Sequence, residues 1–306
     1  MIKFIFQILF ILSLVACETI NGNNDNSDKT KNLLLAAAAL SSRTSTTTTT
    51  TSSTYASQVT CLGSTIKTTS IDSTMPTWIA NNFACVKAYT STESGVAYYV
   101  FETEAVPPHK SPYWGTSSSN WEAMPSGNTQ QISNFNSQSY KFKIRQTPTT
   151  ASGGSASAPG VAAGVAINGV VFFFGQASPG NSLSAELSTF DSAQGHPDGG
   201  FKRYHYHALP KYITSYETRL LGIMSDGYPI YGNKEEDGTT PSTTSTTGST
   251  NQYPALSANT YGHTHSTKDF PNGTFHYHVT NWDSSVNIPS LPVYTYGTLT
   301  ISNITF

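Results

Sequence analysis

Charge is scarce in this chain: Lys, Arg, Asp and Glu together make up 11% of the residues, and the formal net charge is −2. No basic run stands out, so the clustered Lys and Arg that neutralise phosphates are missing, which excludes nucleic acid as a partner. Soft metal ligands are few as well. Of three cysteines and four methionines, only Met224 lies between residues 196 and 278, which argues against a dedicated copper(I) thioether site. The apolar run from Phe4 to Leu14 is too short to span a bilayer. Histidine is nearly absent outside one belt. Seven of the eight lie between His196 and His278, and only His109 stands apart.

The short basic start Met1-Ile2-Lys3, the apolar Phe4 to Leu14 and the closing Leu14-Val15-Ala16-Cys17 read as a bacterial lipoprotein signal over residues 1–17. Cys17 would then be lipidated and tie the protein to a bacterial membrane of the cell envelope, on its periplasmic or surface face. Residues 18–57 are polar and Ser/Thr-rich around one Leu/Ala run, Leu33 to Leu40. Such a segment buries too little apolar surface to offset its ordering entropy, and it reads as a disordered tether of roughly 30–35 Å span. Two cysteines remain after lipidation, and an even pair in an exported chain predicts a Cys61–Cys85 disulfide.

Residues 58–306 are enough for one main domain. Val96 to Phe101 is rich in β-branched and aromatic residues, and Tyr140 to Arg145 alternates apolar and basic side chains, both strand signals. Asn168-Gly169 and Asp226-Gly227 sit between apolar runs and predict tight hairpins. Leu183 to Phe190, behind Asn181 and Ser182, is the one helix candidate, and 235–251 is a polar Ser/Thr-rich insertion that reads as a mobile surface loop. The expectation is an all-β fold, an antiparallel sandwich or distorted barrel with few short helices.

Six of the belt's histidines form His-x-His pairs, in Tyr204-His205-Tyr206-His207, Gly262-His263-Thr264-His265 and Phe275-His276-Tyr277-His278. In a strand, alternate side chains point to opposite faces, so the imidazoles of the first and third pairs share one face and the aromatics the other. Imidazoles at i and i+2 lie about 7 Å apart, and a paired strand lies about 4.8 Å away. His205, His207, His276 and His278 therefore converge on one ion, or on two close together, if the two strands meet. His196, His263 and His265 close the site, and Asp198, Asp226 and Asp269 are candidate oxygen ligands or hydrogen-bond acceptors behind the histidines. A nitrogen-rich set of this kind suits copper(II), zinc or iron. The belt is also duplicated. Gly195-His196-Pro197-Asp198-Gly199-Gly200 leads to Tyr204–His207, and Gly262-His263, through Asp269 and Pro271-Asn272-Gly273, leads to Phe275–His278.

These two blocks, with Asp226-Gly227-Tyr228-Pro229-Ile230-Tyr231-Gly232 between them, resemble the YHYH domain family. The resemblance is strong over roughly 164–280 and implies a secreted domain with a histidine site, but no particular reaction. The chain lacks the glycine and cysteine that many members carry before Gly195-His196, and it has the Ser/Thr-rich insertion after Gly232. Three functions follow: a metal-binding protein for acquisition, storage or buffering; a metal-dependent hydrolase or oxidase; and a surface adhesin or glycan binder using Trp78, Trp114, Trp121 and Trp282. No His-Glu-x-x-His stands in the belt to supply a general base. Because the anchor rests on Cys17, Cys17→Ser is expected to release the protein from the membrane fraction or block its processing. Unchanged detergent partitioning and unchanged mass of the variant would refute it.

Overall fold

Alternation in Tyr140 to Arg145 emerges as strand β3 (Tyr140–Arg145), with Tyr140, Phe142 and Ile144 buried and the basic residues between them half-buried. In a computed structural model, which describes residues 54–66, 70–155, 162–178, 180–300 and 303–305, β3 lies between β2 (Val96–Thr103) and β14 (Ile304–Thr305). With β1 (Lys87–Glu93) these form a four-stranded antiparallel sheet, ordered β1-β2-β3-β14. A two-stranded ribbon joins β4 (Thr150–Ser155) to β13 (Thr295–Gly297). The signal segment and Cys17 lie outside the described residues, as does nearly all of the expected tether. The folded domain begins earlier than residue 58: Tyr55 and Ala56 are buried in a one-turn helix, α1 (Tyr55–Gln58), and Arg219 lies over the Tyr55 ring.

The second sheet carries the histidine belt. Its order is β11-β12-β10-β9-β5-β6-β8-β7, from β5 (Ala162–Ala166), β6 (Val171–Phe173), β7 (Gly195–Pro197), β8 (Tyr204–Tyr206), β9 (Leu220–Met224), β10 (Pro229–Tyr231), β11 (Gly262–His265) and β12 (Thr274–His278). Both hairpins predicted at Asn168-Gly169 and Asp226-Gly227 form, joining β5 to β6 and β9 to β10, with Gly169 and Gly227 at positive φ where a side chain would be strained. The sheet is all-β as expected but not purely antiparallel, because β6 pairs with β8 and β10 with β12 in parallel. Each of those connections crosses over an edge strand, since β7 pairs back on β8 and β11 back on β12. Most residues of β5, β6, β9 and β10 are buried without alternation, the pattern of strands covered on both faces.

The order is nearly symmetric about the central β5–β9 pair. A hairpin, its parallel neighbour and an outer His-bearing strand follow on either side. Phe101, Phe142 and Ile144 of the smaller sheet join Val165, Phe172, Tyr206 and Tyr277 of the larger one in a single buried core. Near it, the expected Cys61–Cys85 disulfide is present, with Cα atoms 5.4 Å apart. Leu183 to Phe190 forms two 3₁₀ turns, Leu183–Ala185 and Leu187–Thr189, rather than an α-helix; Ser182 caps the first by accepting from the Ser184 N–H. The longest helix among the described residues is α2 (Thr77–Asn82), and none is long and apolar enough to cross a membrane.

The glycine opening each block has a packing reason. A Cβ on Gly195 would strike the Tyr204 hydroxyl, and one on Gly262 would strike the Phe275 ring and come within 2.5 Å of the His276 carbonyl oxygen. Each aromatic that starts an aromatic-His-Tyr-His strand thus lies over the glycine of the strand paired with it. Gly262→Ala is therefore expected to cost about 1–3 kcal/mol by overpacking, because the carbonyl belongs to the ladder and has little room to yield. A thermal melt matching the wild type would refute that close approach.

Candidate metal centres

The two His-bearing ends of the large sheet do not meet. Five ladder steps separate β8 from β12, roughly 24 Å at about 4.8 Å per step, so His205 and His207 do not share an ion with His276 and His278. Each instead gathers the histidine of its own outer strand. His196 of β7 stands opposite His205, and His263 of β11 stands opposite His276. The ligand atoms of His196, His205 and His207 lie within 4.8 Å of one another, and so do those of His263, His265, His276, His278 and Glu235. All seven histidines fall into these two clusters.

Every one of the seven rings is tethered through Nδ1. His205 and His276 donate to the carbonyl two residues earlier, of Arg203 (2.7 Å) and Thr274 (3.1 Å). His207 and His278 donate to Phe174 O (2.5 Å) and Gly232 O (2.7 Å), each on the chain leaving the parallel neighbour strand. His263 and His265 donate to Pro254 O and Ser266 O. His196 is 2.7 Å from Thr189 Oγ1, whose own hydrogen goes to Glu186 O, so here too the ring is the donor. A carbonyl can only accept, so each neutral ring carries its hydrogen on Nδ1 and turns a bare Nε2 lone pair inward.

Those lone pairs face one another. Nε2 atoms are 2.8 Å apart between His205 and His207, 3.2 Å between His263 and His278, and 3.1 Å between His263 and His265. The Nε2 of His196 and of His276 are buried with no hydrogen-bond partner, and so are Glu186 Oε2 and Glu235 Oε1. Lone pairs held this close repel unless a cation lies between them. Metal–nitrogen bonds of about 2.0–2.1 Å put neighbouring ligands about 3 Å apart, and a ring whose other nitrogen is held by a carbonyl is the usual form of a metal-ligating histidine.

A proton fills these sites poorly. Burial, with repulsion from neighbouring imidazoles, holds His196 and His205 well below the ordinary 6.5. Burial brings His207 and His278 to about 4 and His276 to about 2, and it lowers His263. His265 is the exception: burial opposes its charged form, but the bond to Glu235 and the charges of Glu235 and Glu236 outweigh that and raise it.

Two glutamates complete the clusters. Glu235, at the start of the 235–251 insertion, is not on a surface loop: its side chain is 2% exposed and lies 3.2 Å from His265, 3.4 Å from His263 and 3.6 Å from His278. Glu186, in the 3₁₀ segment, puts Oε2 3.3 Å from His207 and 3.7 Å from His196; burial raises its pKa. Neither has a motif around it. Their only signal in the sequence is that carboxylates are rare in this chain.

The three aspartates do other work. Asp226 accepts from the Tyr277 hydroxyl and from Gly297 N–H (2.8 Å), on the face of β12 away from the imidazoles. Asp269 accepts from Asn82 and Tyr231. Asp198 lines the cleft beside the three-histidine cluster, but its oxygens hold the Phe201 and Lys202 N–H groups and Arg203. Tyr206 and Tyr277 point away from the imidazoles into the core as expected, and each hydroxyl meets the Asx residue of the neighbouring hairpin turn, Asn168 or Asp226. His109 belongs to that far face, accepting from the Tyr206 hydroxyl at 2.9 Å.

With this geometry in place, comparison with known families finds that the family model described as "YHYH protein" matches residues 141–258. The chain carries a YHYH domain. The match takes in the three-histidine cluster and both glutamates and ends before β11, so all four histidines of the other cluster lie beyond it. Searches of the curated proteins and of the solved structures find no match to the chain.

The acid side of the folded domain's stability follows from the depressed imidazoles. Below pH 6.5 an unfolded chain takes up protons that the folded, metal-free chain refuses, so stability is present above 6.5 and is lost as pH falls toward about 4. Each tenfold weakening of proton affinity on folding is worth about 1.4 kcal/mol, so His207 and His278 alone make the loss several kcal/mol. The metal-free melting temperature is expected to drop steeply between pH 7 and pH 5, and a flat profile would show the rings to be solvated.

Proposed function

We propose that this chain is a membrane-anchored cell-envelope protein that binds two transition-metal ions, one at each end of its large sheet. The observation carrying this reading is that all seven Nδ1 atoms are spent on oxygen acceptors, so seven Nε2 lone pairs are pre-aimed into two small buried volumes with carboxylates beside them. Their imidazole and carboxylate donors suit copper(II), zinc or iron rather than calcium or magnesium. Acquisition, storage or buffering of such an ion is the use that asks least of the protein. The export and anchoring part of the proposal rests on Cys17 and the segment before it. A glycan-binding role would rest on Trp121 alone, 37% exposed, since Trp78 packs on Phe83, Tyr99 and Phe270, Trp114 packs on Phe135 and Trp282 is tied to Leu291 O.

Protein made without a His-tag and purified without metal resin is expected to hold two ions per chain by elemental analysis. His205→Ala/His207→Ala is expected to lose one, and His276→Ala/His278→Ala the other. Because an ion bound only to the folded state stabilises it by mass action, about 4 kcal/mol at a thousandfold excess over Kd, chelation should lower the wild-type melting temperature by many degrees. A wild type that holds no ion, and whose melting ignores chelator and added copper, zinc or iron, would overturn the proposal.

A further inference from the structure

The two clusters differ in what they leave open. Around the four-histidine cluster the protein supplies five ligand atoms, and the side chains of Glu235, His263 and His278 are 2%, 1% and 1% exposed. An ion there would have its coordination filled by protein, with His265, at 11% exposed, the ligand nearest solvent. The other cluster supplies three nitrogens. Its carboxylate, Glu186, lies outside the tight group, is 25% exposed, and faces a cavity of about 300 Å³ that reaches His196, His205 and His207. Two buried atoms without hydrogen-bond partners, His196 Nε2 and Glu186 Oε2, bound the same space. Three protein ligands with a free position is the arrangement of catalytic rather than structural centres.

The cavity wall is apolar on one side, with Phe173 stacked on His205 at 3.9 Å between centroids and Phe201 63% exposed at the mouth. Its one cationic side chain, Arg203, is engaged by Asp198, and Glu186 adds acidity. That is a poor seat for a phosphate and a fair one for a small uncharged carbonyl compound.

We propose that the three-histidine centre is a hydrolytic site for small carboxylic esters, with Glu186 accepting the proton of the attacking water. This rests on the metal reading above. The bound metal supplies a Lewis acid that polarises the carbonyl and acidifies water. Glu186, 3.3 Å from His207 Nε2, accepts a hydrogen bond from water held over the three nitrogens and takes its proton as the water oxygen bonds to the carbonyl carbon. The carbon–oxygen bond to the alcohol then breaks, and Glu186 returns that proton to the departing alkoxide. Ester and water become acid and alcohol, with no change of oxidation state. The four-histidine centre takes no part in these steps.

The test uses full-length protein loaded with zinc or cobalt(II), with 4-nitrophenyl acetate as substrate and azide as a probe of open coordination. Wild-type protein should hydrolyse the ester well above its chelated background, and azide should shift the visible spectrum of the cobalt form. His205→Ala/His207→Ala should keep one ion per chain and lose both responses. Glu186→Gln, isosteric and partly exposed, should keep two ions and the azide shift while its rate falls about 10²-fold or more. Two bound ions with no azide shift and no hydrolysis above background would overturn this inference and leave the metal reading standing. Undiminished hydrolysis in either variant would also overturn it, and a protein that holds no ion would overturn both.

Discussion

Everything at the two clusters depends on one repeated bond, an imidazole Nδ1–H given to an oxygen that can only accept it. The acceptors are mostly backbone carbonyls, and their positions follow from the ladder itself. His205 and His276 use the carbonyl two residues back along their own strand, while His207 and His278 use the carbonyl one residue past the register position of the parallel neighbour. Rings fixed this way would lose little further freedom on binding an ion, because folding has already met the ordering cost. The same bonds set the tautomer, which makes the lone pairs converge and leaves the metal-free sites electrostatically unfavourable.

The opposite face of the same strands explains why the rings can be held so firmly. Tyr206 and Tyr277 are fully buried, and each hydroxyl is tied to the turn of the hairpin beside it, at Asn168 and Asp226. Tyr204 adds a bond to Asp191, which also holds Ser111 and the Ala193 and Gly195 N–H groups. A buried carboxylate with this many donors is costly to disturb. An aromatic-His-Tyr-His strand therefore has one face that anchors it to the core and one that presents imidazole, and the turn chemistry of the hairpins belongs to the same unit.

Symmetry stops at the carboxylates. The histidine geometry is reproduced on both sides of the β5–β9 pair, but Glu186 precedes its strands in a 3₁₀ segment, and Glu235 follows β10 in an insertion. The second outer strand also carries one histidine more, His265. Those differences turn one end into a cluster closed by five protein atoms and the other into an open cluster beside a cavity. Two copies of one local unit thus differ in how far protein atoms enclose them, through the segments that connect their strands.

Much of this was legible in the chain. Period-two alternation placed the paired imidazoles on one face and the tyrosines on the other, the Asn-Gly and Asp-Gly turns marked the hairpins, and an even cysteine pair marked the disulfide. All of these are properties of short segments or of counting, and so they are decided locally. Tertiary structure alone decided which strands became neighbours. Pairing β5 with β9 puts the two blocks at opposite ends of the sheet instead of face to face, and the parallel β6–β8 and β10–β12 contacts give a mixed sheet where an antiparallel one was expected. It also turned Glu186 and Glu235 inward and left Asp198, Asp226 and Asp269 to other partners. A carboxylate's role depends on where its loop is carried by packing far away in the chain, and neither its neighbours nor its spacing encodes that.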